Sequence, residues 1–594
     1  MDLGTLPRWD LDDLYSGPEA AELATDLDRA EVAAEQFNGD YCGKVGALSA
    51  AALARAIQRY EADEDLLGRI ASYAQLYHAA DVSDREVGRF YQTTMERLST
   101  ITSNLIFFTL ELNLIADGAL QAALAADPDL KHYAPWLRDV RASRPHQLSD
   151  EQERLLHEKQ VTGRAAWVRL FDETMADMRF AVAGEERDGE ARSLEQTLHL
   201  LQEPDGAQRK AAAKALGIGF EEKKGLFALI TNTLAKDKEI EDKWRRFARP
   251  DSARHLSNLV EDEVVDALAD AVTAAYPRLS HRYYALKAKW FGVEALDYWD
   301  RNAPLPDEDQ RDFTFRAAQD QVLAAYGAFS PELAKIGQRF FDNAWIDAPA
   351  SPGKSSGAFA HPTVPSAHPY LLLNYQGRVR DVMTLAHELG HGVHQVLAAG
   401  QGALMADTPL TLAETASVFG EQLTFRALLD GEADPGRRKA MLAGKTEDML
   451  NTVVRQIAFY DFERRLHDER RQGEISVERM GEIWMAVQGE SLGPAIRLHD
   501  EYANYWCYIP HFIHSPFYVY AYAFGDCLVN SLYAVYQNAS DGFAEKYLAM
   551  LRAGGSLRHG ELLAPFGLDA ADPGFWQQGL GVIERFVDEL EELS

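Results

Sequence analysis

Apolar residues return every three or four positions along most of this chain, the period of a helix with one buried face. Stretches such as LYSGPEAAELATDLDRAEVAAEQF, from Leu14, and SLEQTLHLLQEPDGAQRKAAAKAL, from Ser193, combine that period with Ala, Leu, Glu, Arg and Lys, all good helix formers. In the second stretch, Pro204-Asp205-Gly206 breaks the run. No internal repeat or low-complexity linker is visible. Further breaks fall at NAPLPDED (from Asn302), DAPASPGKSSG (from Asp347) and DGEADPG (from Asp430). Strand signals are few. HPYLLLNYQGRVRD, His368 to Asp381, holds a short apolar run bounded by Pro369 and by Gln376-Gly377, and SGAFAHPTV upstream is placed to pair with it. The pattern predicts a mostly α protein with a small sheet.

The segment LSTITSNLIFFTLELNLIA, from Leu98, is the most apolar, but Ser, Thr, Asn and Glu interrupt it. A membrane span needs about 20 mostly apolar residues, so this one reads as a buried helix. At 594 residues the chain is long enough for a large core and two or more lobes. A soft boundary near residue 200 separates a helical N-terminal region, 1–200, from the remainder, 201–594.

Charge narrows the function. With 60 basic and 92 acidic side chains the net charge is −32, which argues against nucleic acid as a partner, because phosphate binding needs a basic surface. The excess acid reads as solubility through self-repulsion. Three cysteines, Cys42, Cys507 and Cys527, form no disulfide framework and no CxxC pair, which suits a reducing compartment. MDLGTLPRWDLDDLY at the N-terminus shows neither a basic region nor an apolar core of a signal peptide. A cytoplasmic protein bound to no membrane is expected.

One stretch carries chemistry. In TLAHELGHGVHQ, Thr384 to Gln395, His387, Glu388 and His391 form H-E-x-x-H. On a helix the two histidines share a face and can reach one ion, while Glu388 can contact water on that ion without ligating it. Asp381 is placed to cap such a helix. Gly390 and Gly392 weaken it by roughly 1 kcal/mol each relative to Ala, which suggests that another element packs closely there. The bare pattern arises by chance in roughly a few per cent of chains of this composition, so further ligands are needed.

Zinc in a hydrolase usually takes three protein ligands and keeps one position open. His394 follows His391 by three residues, but it lies about 10 Å along the axis from His387, too far for one ion without bending the helix. Glu414, in TLAETASVFGEQLTF, is the better candidate. It lies 23 residues beyond His391, across the loop GQGALMADTP, with room for a chain reversal. Thr411 to Glu414 also fits a capping box, in which Glu414 would only bond a helix N-terminus. Glu421, two turns on, is placed to accept a hydrogen bond from a ligating imidazole.

Near the C-terminus, HDEYANYWCYIPHFIHSPFYVYAYAFG, His499 to Gly525, is dense in tyrosine and histidine. Packing with wet hydroxyls is the simpler reading. The functional one is a set of N–H and O–H donors for the oxyanion of a peptide under attack.

Taken together, HELGH, a glutamate 23 residues on, LLLNYQG before and YIPHF…SPFYVYAYAFG after resemble the M3 family of zinc metallopeptidases, in its oligoendopeptidase F branch. LPRWDLDDLY, YWDRNAPLP and GKSSGAFAH extend the resemblance over nearly the whole chain. It implies a two-lobed helical fold with a small β-sheet bordering a deep channel, and one zinc ion held by His387, His391 and Glu414. It implies Glu388 as general base, with His511, Tyr518 and Tyr522 acting on the substrate and Tyr520 as an alternative register. Substrate contacts would come from Tyr520, His514, and Leu372 and Asn374 of the YLLLNY strand, to which a peptide could add by main-chain pairing. The expected activity is hydrolysis of internal bonds in short peptides by a monomer or homodimer. The rivals are a carboxypeptidase or peptidyl-dipeptidase, and a catalytically idle peptide-binding scaffold.

Overall fold

Helices carry about 71% of the chain in a computed structural model of the protein, which describes residues 3–183, 191–305, 312–538 and 541–593. The sequence periods account for them. The stretch from Leu14 becomes the helix Ala21–Tyr41. The one from Ser193 becomes Leu194–His199, opened by a Ser193/Gln196 capping box, and then, after the Pro-Asp-Gly break, a 40-residue helix Gly206–Arg245 capped by Asp205. Residue 200, near which a boundary was expected, lies between these two helices and inside the stretch Pro145–Asp309 of a single unit. The loop expected from Asn302 runs into residues 306–311, which lie outside those described.

The chain divides by contact into two interleaved units. One comprises Met1–Arg144, Gln310–Gly431 and Val535–Leu568; the other comprises Pro145–Asp309, Glu432–Ala534 and Asp569–Ser594.

The apolar segment from Leu98 is two helices rather than one, Arg85–Thr102 and Ile106–Leu114. Phe108 and Leu112 are fully buried, but Ile106 and Leu114 are 58% and 72% exposed, so only one face of the second helix is core. Among the described residues no single helix is long and apolar enough to cross a membrane; the pair Arg85–Leu114 and Asp117–Ala126 meets the length only jointly, across a 100° bend.

Strands are few and short. In the second unit β1 (Leu296–Asp297) pairs in parallel with Ile496–Arg497, which is β5. In the first unit β2 (Ile346–Pro349), β3 (Phe359–His361) and β4 (Tyr370–Tyr375) form a sheet of order β2-β4-β3. The expected strand and its upstream partner are both present: Phe359 faces Leu372 and His361 faces Tyr370 in antiparallel register, while β2 runs parallel along the other edge of β4. A strand covered on both faces needs apolar residues throughout, and Tyr370, Leu371, Leu372 and Leu373 are at most 1% exposed.

A buried ammonium ties this sheet to the loop SPGKSSG. Lys354 Nζ donates to Asp347 Oδ1 (2.5 Å) and to the carbonyls of Asp347 (3.0 Å), Pro349 (2.9 Å) and Leu373 (2.6 Å). Four acceptors around one charge offset the desolvation that a buried lysine otherwise suffers. Replacing it leaves Asp347 buried and unpaired. Lys354→Met is therefore expected to cost about 3–5 kcal/mol, measured as a loss of unfolding free energy in urea.

After β4 the chain turns into the helix Val379–Ala398, here the motif helix. Asp381 does cap it, from the third helical position: its Oδ2 accepts the N–H groups of Gln376 (3.0 Å) and Arg378 (2.9 Å). A chain reversal leads to the helix Leu410–Asp430, here the Glu414 helix, which packs along the motif helix.

Candidate active site

His387 and His391 lie one turn apart on the motif helix, with ring centroids 5.0 Å apart. Glu414 enters from the neighbouring helix. Its Oε2 is 3.3 Å from His387 Nε2 and 3.5 Å from His391 Nε2. One donor atom from each of the three lies within 4.8 Å of the others, and this is the only group of three or more such side chains arranged so among the described residues. The capping-box alternative for Glu414 does not form. Its helix starts at Leu410 with Pro409 as N-cap and no side-chain cap, which leaves Thr411 inside the first turn.

The glycines explain how a carboxylate on one helix reaches imidazoles on another. A Cβ on Gly390 would lie 2.5 Å from the Ala416 carbonyl oxygen, and one on Gly392 would lie 2.6 Å from the Phe340 ring. The motif helix thus touches main chain where most helix pairs touch side chains. From the helix Phe315–Phe329, Tyr326 donates its hydroxyl to the Ala386 carbonyl (2.6 Å), directly before His387.

Around the three donors, further groups set orientation. His387 Nδ1–H donates to Glu421 Oε2 (3.1 Å), which turns Nε2 toward Glu414. Ser417 Oγ donates to Glu414 Oε2 (2.7 Å). Charge follows geometry. Burial pulls the pKa of His387 down, yet Glu414 and Glu421 outweigh it and hold the ring well above its ordinary value. Burial pushes Glu414 up, yet hydrogen bonds and attraction from the two imidazoles hold it well below the carboxylate range. The cluster stabilises positive charge at its centre. Two imidazoles and a carboxylate converging on such a point fit a divalent cation of the zinc type.

Glu388 stands apart from the three donors. It is 7% exposed, and burial raises its pKa, while His387, His391 and the Ala360 N–H of β3 act in the opposite sense. His394 is buried on another side of the helix, beside the Leu551 carbonyl, and burial drops its pKa to about 4. It is not part of the donor group.

In the second unit, His511 opens a single helical turn, His511–His514, and the helix Tyr520–Asn538 follows. His511 lies between two half-buried tyrosines: its ring centroid is 5.9 Å from Tyr518 and 6.0 Å from Tyr522, and its Nε2 is 3.4 Å from the Tyr522 hydroxyl. Tyr520 points elsewhere. It is fully buried, and its hydroxyl accepts from Asn258 Nδ2 (2.8 Å). His514 is exposed and paired with Asp172 (2.7 Å).

β4 is placed differently from the expectation of a strand that receives substrate. β2 runs along one edge of β4, and β3 covers the other at Tyr370–Leu372, so Leu372 has no main-chain edge left for a peptide. Leu372 is fully buried, and Asn374 Nδ2 donates to the carbonyls of Ser355 (2.9 Å) and Gly357 (2.8 Å), shaping the loop before β3.

Two family models match this chain: peptidase family M3 over residues 199–582, and oligopeptidase F over residues 111–180. The chain belongs to peptidase family M3. Among curated relatives, oligopeptidase PepF of Bacillus subtilis is 26% identical over 98% of this chain and 87% of its own length. Group B oligopeptidase PepB of Streptococcus agalactiae is 26% identical over 99% of this chain and 97% of its own. The solved structure of oligoendopeptidase-F from Enterococcus faecium, 24% identical, has a TM-score of 0.71 over 96% of this chain and 97% of that one, a likeness of fold. Peptidases of this family depend on a metal ion, and this M3 peptidase is a metalloendopeptidase.

Sequence reasoning missed Ser417, Tyr326 and Ala360. Ser417 follows Glu414 by three residues and was open to a helical-spacing argument; the other two reach the site from other elements. Gly390→Ala is expected to destabilise this M3 peptidase by about 1–3 kcal/mol, because backbone and not a pliable side chain blocks the new methyl. Thermal unfolding checks the stability, and elemental analysis checks for reduced metal content.

Proposed function

We propose that this M3 peptidase is a cytoplasmic zinc oligoendopeptidase that hydrolyses internal bonds of short peptides with one ion per chain, held by His387, His391 and Glu414. The observation that carries the reading is the convergence of these three donors with a buried carboxylate, Glu388, next to them in sequence and outside the donor group. Three unpaired thiols, Cys42, Cys507 and Cys527, suit the reducing setting.

The zinc ion, when bound, supplies Lewis acidity and lowers the pKa of water at the open position toward 7. Glu388 is the general base: its carboxylate takes a proton from the attacking water and delivers it to the amine nitrogen as the peptide bond breaks. Burial suits it to both steps, since a raised pKa makes it a stronger acceptor and still lets it give the proton back. Glu421 keeps His387 in the tautomer that presents Nε2. His511, Tyr518 and Tyr522 serve as donors to the oxyanion, a role that follows from the family resemblance and suits three polar groups whose rings cluster together. Tyr520, with its hydroxyl held by Asn258, is a core residue in this reading.

Main-chain pairing of the substrate falls to β3 and not β4. β3 is the outer strand of the sheet, and its Ala360 N–H faces Glu388. A peptide laid along Phe359–His361 would bring its carbonyls past the base.

Glu388→Gln is expected to keep its metal while kcat falls by roughly 10²–10⁴-fold. Near-normal turnover would remove Glu388 from its role, and equal metal content in His387→Ala and wild type would refute the ligand set. The endopeptidase reading has its own check. A peptide amidated at its C-terminus should be cut at the same internal bond as the free acid, mapped by mass spectrometry; loss of cleavage on amidation would assign the C-terminal exopeptidase activity instead.

A further inference from the structure

Between the turn His511–His514 and the helix Tyr520–Asn538 the chain is irregular, yet it carries Tyr518 and joins His511 to Tyr522. Within it Phe517 has φ +59°, in the left-handed region that a side chain rarely adopts. The Phe517 ring is fully buried, 4.8 Å from His467 and 6.2 Å from Tyr460 between ring centroids. Such a conformation persists only where the surroundings hold it, and here they hold the main chain directly. Arg164 donates to the carbonyls of Ile513 (2.9 Å) and His514 (2.8 Å). Arg254 donates to the Pro516 carbonyl (3.3 Å) and lies 5.7 Å over the Tyr518 ring. Glu463 Oε1 accepts the Phe517 N–H itself at 2.8 Å.

Glu463 is unusual among these anchors. It comes from the helix Val454–Arg470, is 2% exposed, and its Oε2 has no hydrogen-bonding partner among the described residues. The indole N–H of Trp506 is unpartnered too, and both residues line one cavity of about 20 Å³, room for a single water molecule. The remaining wall is largely apolar, with Phe171, Phe227 and Leu466.

We propose that Glu463 is a positioning residue: by bonding the Phe517 N–H from this cavity it locks the left-handed turn, and so aims His511 and Tyr518. The proposal rests on the reading above that His511, Tyr518 and Tyr522 act on the substrate. Why a glutamate stands there follows from its surroundings. Burial lifts its pKa to about 8, so near neutral pH it carries a proton and sits in the apolar wall uncharged. Of the charged groups facing it, Arg254 and Lys238 favour the anion and Asp251 opposes it. His467, one turn along the same helix, is held neutral by burial, with its pKa near 3, and burial likewise keeps the Cys507 thiol protonated. The sign is therefore definite. A carboxyl raised in the closed turn stabilises that turn while protonated, and the contribution is lost as pH rises through about 8.

The test compares full-length, metal-loaded wild type with Glu463→Gln and Glu463→Leu on one quenched fluorogenic peptide, from about pH 6 to about pH 10. Glutamine keeps the acceptor and cannot ionise. It should hold kcat within about twofold of wild type at neutral pH and lack the decline that wild type shows above about pH 8. Leucine should lower kcat at least about tenfold with little change in KM, the signature of an interaction used after binding. A leucine variant within about twofold of wild type, or a glutamine variant with an unaltered alkaline limb, overturns the proposal. If the leucine variant does not fold, the glutamine pH profile decides alone. His511→Ala and Tyr518→Phe separate the two levels: full activity in both removes the reading beneath, whereas their loss beside an indifferent Glu463→Leu removes only the role of Glu463.

Discussion

The site depends on one close crossing of two helices. Ligands on a common ion must come within about 2 Å of it, but helix axes usually stay 8–10 Å apart, held off by side chains. At Gly390 the side chain is missing, and the Glu414 helix fills the space with its own backbone at Ala416. That contact sets Glu414 level with His387 and His391. Phe340 against Gly392 and Tyr326 on the Ala386 carbonyl hold the motif helix from other directions. The helix therefore keeps two poor helix formers, at a cost of roughly 1 kcal/mol each, because tertiary packing needs them.

Electrostatics then divides labour among four acids. Glu414 and Glu421 both engage His387, one at each ring nitrogen, and together they hold its pKa above the ordinary value against the pull of burial. Glu388 is left out of that arrangement and is buried on its own account, which suits it to the role of base proposed above. The fourth, Glu463, belongs to the other unit and has no charged partner within hydrogen-bonding reach; it is useful there as a neutral hydrogen-bonding group. Burial raises both Glu388 and Glu463, so context and not residue type separates the two roles proposed for them.

How much was legible in the sequence varies with the range of the interaction. His387, Glu388 and His391 could be read because their relation is a helical turn, set by backbone geometry alone. Glu414 was legible as a candidate but shared its position with a capping reading, and only the observed helix start at Leu410 separates the two. The tyrosines show the same limit. Tyr518, Tyr520 and Tyr522 look alike in the chain, and their difference lies in Asn258, more than 250 residues away, which occupies one hydroxyl and not the others. For the sheet, the apolar run YLLLNY is a strand as expected, and which of its residues lie beside another strand was not legible in the run itself. A run apolar on both faces marks a central strand, and β4 does lie between β2 and β3.

By itself, then, the amino-acid order determined the helical texture, the motif helix with its two imidazoles, the strand β4 with its partner β3, and the family to which the chain belongs; β2 was missed, because its Asp347–Pro349 reads as the start of a loop. These follow from periodicity and local spacing, which act within a few residues. The tertiary structure alone decided that Glu414 points at the histidines, that β3 is an edge strand, and that Glu463 accepts the Phe517 N–H before Tyr518. Each of these depends on groups far apart in the chain meeting in a space without water, and no spacing rule records which buried oxygen will find which buried N–H.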